Sequence, residues 1–168
     1  CASISSRIVR ADEIAIKSNL KKEIIQTDNF GIVTYQKIEA PSEPLFVFIE
    51  GDGSAYLTKT HLSSNPTPRN PVALKMASND AHSNVLYIAR PYQYYEKITA
   101  VIDKSKFWSS HRYSEEVIND ISSVIDEVKK KSGVKNIVLV GYSGGGAIAA
   151  IISAKRDDVI KLVTVCGN

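Results

Sequence analysis

The sequence predicts an α/β fold: a mostly parallel sheet with helices on both faces, preceded by an N-terminal helix and a β-hairpin. Three observations carry this. From residue 45 onward the order is strand, helix, strand, helix, strand, helix, strand. The run at 45–49 is continuously apolar, and the strands at 84–89 and 136–140 are apolar after their leading Asn84 and Asn136, as expected of strands covered on both faces. Before residue 45, a helical spacing is followed by two β-rich runs around a turn.

Residues 3–19 place Ile4, Ile8, Ala11 and Ala15 at helical intervals. Residues 23–27 and 32–39 are rich in β-branched and aromatic side chains. Asp28-Asn29-Phe30-Gly31 between them supplies turn chemistry, so they pair as an antiparallel hairpin. After the strand at 45–49 comes a long loop, 50–69, holding Gly51, Gly53, Pro66 and Pro68; loops of that length are functional or disordered. Asn70-Pro71 reads as an N-cap and a first-turn proline that open a helix to about residue 79. A second long connection, 90–110, carries Tyr92, Tyr94, Tyr95, Phe107 and Trp108. The tyrosines line an acyl pocket or pack beneath the loop. The longest helical pattern runs over 114–131, with Val117, Ile121, Val124, Ile125 and Val128 in one stripe. Ser114 can cap it, Glu115 and Glu116 sit at its positive end, and Gly133 stops it. Residues 147–155 form the next helix and 159–166 the last strand. The length suits a single domain over 1–168, without an internal repeat.

Composition excludes several classes. The net charge is +3 and the basic residues are scattered; Lys129-Lys130-Lys131 reads as a solvated helix end. A nucleic-acid partner would want a basic stripe with interleaved aromatics, and none is present. Residues 136–154 carry no charge and Gly141 and Gly145 form G-x-x-x-G, but a Gly-Tyr-Ser-Gly-Gly-Gly centre is poor helix material, so a membrane span is rejected. Cys166 sits in an apolar run and reads as a small buried hydrophobe; nothing in the spacing argues for a Cys1–Cys166 disulfide. Cys1 stands where Met would be expected, followed by the small residues Ala2 and Ser3. Two readings stay open. The mature form of a bacterial lipoprotein begins on a lipid-modified cysteine, which would give a periplasmic or membrane-anchored protein; a plain chain boundary would look the same.

The chemistry concentrates at Gly141-Tyr142-Ser143-Gly144-Gly145, a G-x-S-x-G pattern. Its context is informative: an apolar strand leads in and a helix leads out. A serine hydroxyl attacks a carbonyl carbon only when it projects clear of the backbone, which requires a tight, strained turn. Gly141 and Gly145 remove side chains that would collide where the helix folds back, and Tyr142 completes the elbow. Ser143 is therefore the expected nucleophile. The backbone N–H of Gly144, at the helix N-terminus, would face the developing oxyanion. A phosphate-binding turn would need a P-loop lysine or a G-x-G-x-x-G register, and both are missing.

With that elbow, the sequence resembles the α/β-hydrolases over nearly all its length. More narrowly it is similar to bacterial members in which a strand ending Phe48-Ile49-Glu50-Gly51-Asp52-Gly53 is followed by Pro66-Thr67-Pro68-Arg69 and then by Ala89-Arg90-Pro91. The broader family has His-Gly-x after that strand, where Glu50-Gly51-Asp52 stands here. The resemblance implies that the Asp52 N–H, with Gly53 as the close alternative, is the second oxyanion donor. It also implies a triad in the chain order serine, acid, histidine. No histidine follows Ser143, and the only acids there, Asp157 and Asp158, precede the last strand and read as solvated loop residues. His61, His82 and His111 all precede the serine and read as loop histidines. The resemblance therefore places the acid and the histidine in a C-terminal part that this chain lacks.

Three functions fit these residues. The first is a serine hydrolase of carboxylic esters or related acyl bonds, acting through an acyl-enzyme on Ser143 and incomplete in this chain. The second is a non-catalytic binding or interaction protein on the same fold, and the third an acyltransferase using the same elbow. The partner expected is a small-molecule ester or acyl substrate, with no nucleic acid, and with membrane attachment only through a lipidated Cys1. Self-association through 159–166 is expected if that strand forms an uncovered sheet edge. No metal site or cofactor motif is present, and the elbow chemistry needs none.

Overall fold

Six strands form one mixed sheet in the order β1-β2-β4-β3-β5-β6. The computed structural model describes residues 3–167, so Cys1, with the lipid-anchor and disulfide readings, lies outside the described residues. Helix α1 (Ile4–Lys17) leads into the antiparallel hairpin of β1 (Lys21–Gln26) and β2 (Gly31–Ile38). Then follow β3 (Leu45–Ile49), α2 (Val72–Ser78), β4 (Asn84–Ile88), the short α3 (Val101–Lys104) with a 3₁₀ turn (Ser105–Trp108), α4 (Glu115–Ser132), β5 (Ile137–Tyr142), α5 (Gly144–Ala154) and β6 (Val159–Val165). β2 joins β4 antiparallel, while β3 pairs in parallel with β4 and β5, and β5 with β6.

The alternation of side chains along the buried strands splits the core into two layers. Leu45, Val47, Ile49, Ile137 and Leu139 face α4 and α5, meeting Val117, Ile121, Val124, Ile125, Ile148 and Ile152. Phe48, Val85, Tyr87, Val138 and Val140 face the other way, toward Ala11 and Ala15 of α1 and Ala73, Leu74 and Ala77 of α2. Helices thus cover both faces. The crossover through α2 runs from β3 to β4 in one direction along the sheet, and the crossover through α5 runs from β5 to β6 in the other. Their directions part between β3 and β5, and in open parallel sheets a crevice forms beyond the carboxyl ends of strands at such a point.

Local details depart from the sequence reading where a distant group competes. Pro71, rather than Asn70, occupies the cap position of α2, and Asn70 instead accepts from Lys75 Nζ at 2.5 Å. Two first-turn N–H groups of α2, on Ala73 and Leu74, go to the Glu50 carboxylate at the end of β3, at 3.3 and 3.4 Å. Ser114 has the extended backbone of an N-cap, but its hydroxyl turns to Glu116 and makes no cap bond. Gly133 ends α4 in the left-handed region at φ 77°, as expected. Cys166 is exposed, not buried: it lies just past β6, which is an edge strand of the sheet among the described residues. Asp158 is not a free loop residue: it pairs with Arg156 Nη2 at 2.8 Å and with Lys129 of α4. The hairpin turn is pinned to α4 by Asp120, whose carboxylate accepts from Thr27 Oγ1 at 2.6 Å and from the N–H groups of Asn29 and Phe30 at 2.9 and 3.1 Å.

Candidate active site

Ser143 sits between β5 and α5 with φ 50° and ψ −124°. That backbone conformation is rare for a residue with a side chain and costs on the order of 1–3 kcal/mol. It persists because both sides of the turn are fixed. The Ser143 N–H donates to Val165 O at 2.8 Å, and its carbonyl accepts from Gly146 N at 2.8 Å. Close packing explains the flanking glycines. A side chain at Gly145 would strike the carbonyl oxygens of Ile49 and Glu50, and one at Gly141 would strike the backbone of Gly145 and Gly146. Residues 136–154, the uncharged stretch, are thus strand, turn and helix. Among the described residues no helix is long and apolar enough to cross a membrane.

The register Ile49↔Gly141 brings the end of β3 beside the elbow. A Cβ added at Gly51 would lie 3.3 Å from Ser143 Cβ, and one at Gly144 would strike the Asp52 carboxylate, so the predicted residues of the two strands do come together. Each part of the Glu50–Gly53 turn is held from outside. Glu50 is buried and accepts from Gly51 N at 3.1 Å and Tyr87 Oη at 3.1 Å, besides the two α2 donors. Burial pushes its carboxyl pKa up, and the donors around it pull the other way. Gly51 O accepts from Gln93 Nε2 at 3.0 Å. Asp52 Oδ1 lies 3.1 Å from Arg90 Nη1, and Oδ2 lies 3.3 Å from Arg112 Nε. Gly53 takes φ 67° against Pro66 O, which accepts from Ser54 N at 3.0 Å. Among the described residues, the N–H groups of Asp52 and Gly144 have no hydrogen-bond acceptor.

A cleft of about 310 Å³ lies over this junction, lined by Glu50, Gly51, Asp52, Gly53, Arg69 and Ser143 among others. A larger concavity of about 840 Å³ lies between the hairpin and the end of α4; it is a lysine-rich surface groove remote from the elbow. No histidine is among the cleft-lining residues. His61 and His111 are exposed, and His82 stacks on Phe46 with ring centroids 3.5 Å apart. The tyrosines of the second connection pack rather than line the cleft. Tyr92 meets Phe30, Phe107 and Trp108; Tyr94 bonds Tyr87 at 2.9 Å; and Tyr95 donates to Gly31 O at 3.1 Å. Arg90, Gln93 and Arg112 were not legible as site residues, since they reach the Gly51–Asp52 turn from a loop far along the chain. The Ala89-Arg90-Pro91 stretch was the one signal that marked any of them. Among the described residues no group of His, Cys, Asp or Glu is placed to hold a metal ion.

This chain has the α/β-hydrolase fold. The family described as bacterial virulence protein (VirJ) matches residues 96–166, which include Ser143. Among solved structures, the chain is similar to a membrane phospholipase A described as a bacterial virulence factor, with a TM-score of 0.55 and 16% identity over 98% of this chain and 46% of that one. Est1E from Butyrivibrio proteoclasticus gives a TM-score of 0.50 and 21% identity over 84% and 49%. Naproxen esterase (carboxylesterase NP) from Bacillus subtilis gives 0.54 and 10% over 96% and 49%. The chain spans about half the length of these structures, so its six-stranded sheet is a part of the fold they carry. No curated protein matches the sequence.

Proposed function

We propose that this chain is the nucleophile-bearing part of a serine hydrolase that acts on carboxylic esters or related acyl bonds. The observation that carries the reading is the backbone of Ser143, held at φ 50° and ψ −124° at a strand–helix junction. Strain of this kind persists where the surroundings over-determine it, and it lifts the hydroxyl clear of the sheet. Ser143 Oγ would attack the acyl carbon. The N–H groups of Gly144 and Asp52, with Gly53 as the alternative to Asp52, would receive the oxyanion. Two donors with no competing acceptor are the arrangement such a hole needs, and one donor is typically worth 10²–10³ in rate. Arg90, Arg112 and Gln93 act as positioning residues that fix the turn carrying the second donor.

No histidine is among the cleft-lining residues, and this favours a second reading, ligand binding without turnover. An external base separates the two. Imidazole added to the chain should raise hydrolysis of a short-chain nitrophenyl ester in a Ser143-dependent way. If Ser143→Ala shows the same imidazole-stimulated rate as the parent chain, the hydrolase reading fails.

A further inference from the structure

We propose that Glu50 is a positioning residue for the oxyanion turn, and that the negative charge of its carboxylate sets how readily Ser143 reacts. This rests on the serine-hydrolase reading and adds to it a residue that acts through the Asp52 N–H. Glu50 follows β3, lines the cleft and is 1% exposed. Its Oε1 accepts from the N–H groups of Gly51 and Ala73, and its Oε2 from the Leu74 N–H and the Tyr87 hydroxyl. Among the described residues no lysine or arginine stands within ion-pair distance of it. Neutral donors therefore carry the whole task of holding a buried charge.

The bond to Gly51 gives that charge a path to the serine. Gly51 is held on both sides, its N–H by Glu50 at 3.1 Å and its carbonyl by Gln93 Nε2 at 3.0 Å. That carbonyl and the Asp52 N–H belong to one planar peptide, so the direction of one fixes the direction of the other. Gly51 also packs on the elbow, since a Cβ there would lie 3.2 Å from the Tyr142 carbonyl oxygen and 3.3 Å from Ser143 Cβ. Glycine has the widest backbone freedom, so the two grips decide where this peptide points. Hydrogen bonds to a charged acceptor are about twice as strong as neutral ones. A protonated carboxyl would also present a donor where four donors already converge. Loss of the charge thus loosens the turn at Gly51, and with it the aim of the Asp52 N–H.

The neighbours of Glu50 set the sense of its titration. Burial raises its pKa above the ordinary 4.5, while the Gly51, Ala73, Tyr87 and Leu74 donors lower it. Tyr87 comes from β4, and Tyr94, 2.9 Å from the Tyr87 hydroxyl, from the connection after it; burial raises both phenols, so they stay neutral. α2 meets the carboxylate through the N–H groups of Ala73 and Leu74, and α5 meets the Glu50 backbone through Gly145. Asp52, Arg69 and Tyr142 share the cleft, with Asp52 held by Arg90 and Arg112.

Phosphonylation of Ser143 by a fluorophosphonate tests this, with imidazole at a fixed total concentration, in the parent chain and in Glu50→Gln. At each pH the ratio of the two rates cancels the titration of the added base, and circular dichroism confines the comparison to folded chains. The ratio should be about tenfold at neutral pH, a part of the 10²–10³ that one oxyanion donor is worth, and should fall toward unity as Glu50 is protonated. Tyr87→Phe should move the acid fall of the rate to higher pH, because the lost hydroxyl favoured the charged form. The amide proton shifts of Gly51 and Asp52, followed by NMR in Ser143→Ala, should titrate together with the rate ratio. If Glu50→Gln does not fold, Tyr87→Phe and the amide shifts decide. A ratio constant with pH, an acid fall unmoved in Tyr87→Phe, or amide shifts that do not titrate overturns the proposal and leaves the hydrolase reading intact. Labelling undiminished in Ser143→Ala contradicts the hydrolase reading instead, and with it the effect of Glu50 on the serine.

Discussion

Ser143 owes its conformation to neighbours that have no side chain. The Gly145 Cα lies against the carbonyl oxygens of Ile49 and Glu50, so even a methyl group there must push β3 and α5 apart. Gly145→Ala should destabilise the chain by about 1–3 kcal/mol, the usual cost of overpacking a tight contact. Thermal or urea unfolding would show it, and an unchanged midpoint would mean that the elbow is looser than described. Gly133, with nothing near its added Cβ, differs in kind: its substitution meets only backbone strain at φ 77°. The elbow was legible in the sequence because its glycine spacing is local. The Glu50 cap of α2 was not, since a carboxylate that caps a helix begun more than twenty residues later leaves no short-range pattern. Asn70, with the right chemistry in the right place, was therefore the natural and mistaken candidate.

At the level of elements, α4 is joined to the approach of β6 by ions as well as by packing. Asp158 pairs with Arg156 and Lys129, and these hold its pKa down to about 2 from the ordinary 3.8, with the Arg156 hydrogen bond the largest cause. A carboxylate depressed in the folded state adds stability above its unfolded pKa, and that stability is lost as pH falls through the folded value. Asp158→Asn should therefore lower stability at pH 7 by about 1 kcal/mol, after allowance for solvent screening, and most of that deficit should be gone near pH 2. Denaturant unfolding at the two pH values measures this; an equal deficit at both would remove the ion pair as the cause. β6 itself shows what pattern reading lacks. Its apolar run predicted a strand, and it is one, yet Ile160 is 57% and Leu162 39% exposed because the strand forms the sheet edge. The opposite edge, β1, is guarded by Lys21 and Lys22, as charged edges commonly are. Concentration-dependent self-association should follow from the β6 edge. Sedimentation should detect it, and Leu162→Lys should reduce it; a chain monomeric at all concentrations would contradict the expectation.

Across the whole molecule, the fold followed from the strand–helix alternation, since period and length are properties of the chain itself. The two-layer core and the crossover directions then place the ends of β3 and β5 together, which is why elbow and Glu50–Gly53 turn could be paired before either was seen. The clamp of Arg90 and Arg112 on Asp52 was hidden because it depends on how long connections fold over the sheet. Without a histidine beside Ser143 among the described cleft-lining residues, an elbow and its donors retain on the order of 10³–10⁴ over the water reaction, far below the 10⁶ and more of a working enzyme. Turnover by the isolated chain should accordingly be slight, and reactivity of the serine is the more direct observable. The measurement that bears most directly on Ser143 is peptide mapping of the chain after exposure to a fluorophosphonate, with and without imidazole as an external base. The account predicts one dominant adduct, on Ser143, formed faster with imidazole and absent from Ser143→Ala. Labelling spread evenly over other serines and tyrosines, or undiminished in Ser143→Ala, would contradict it.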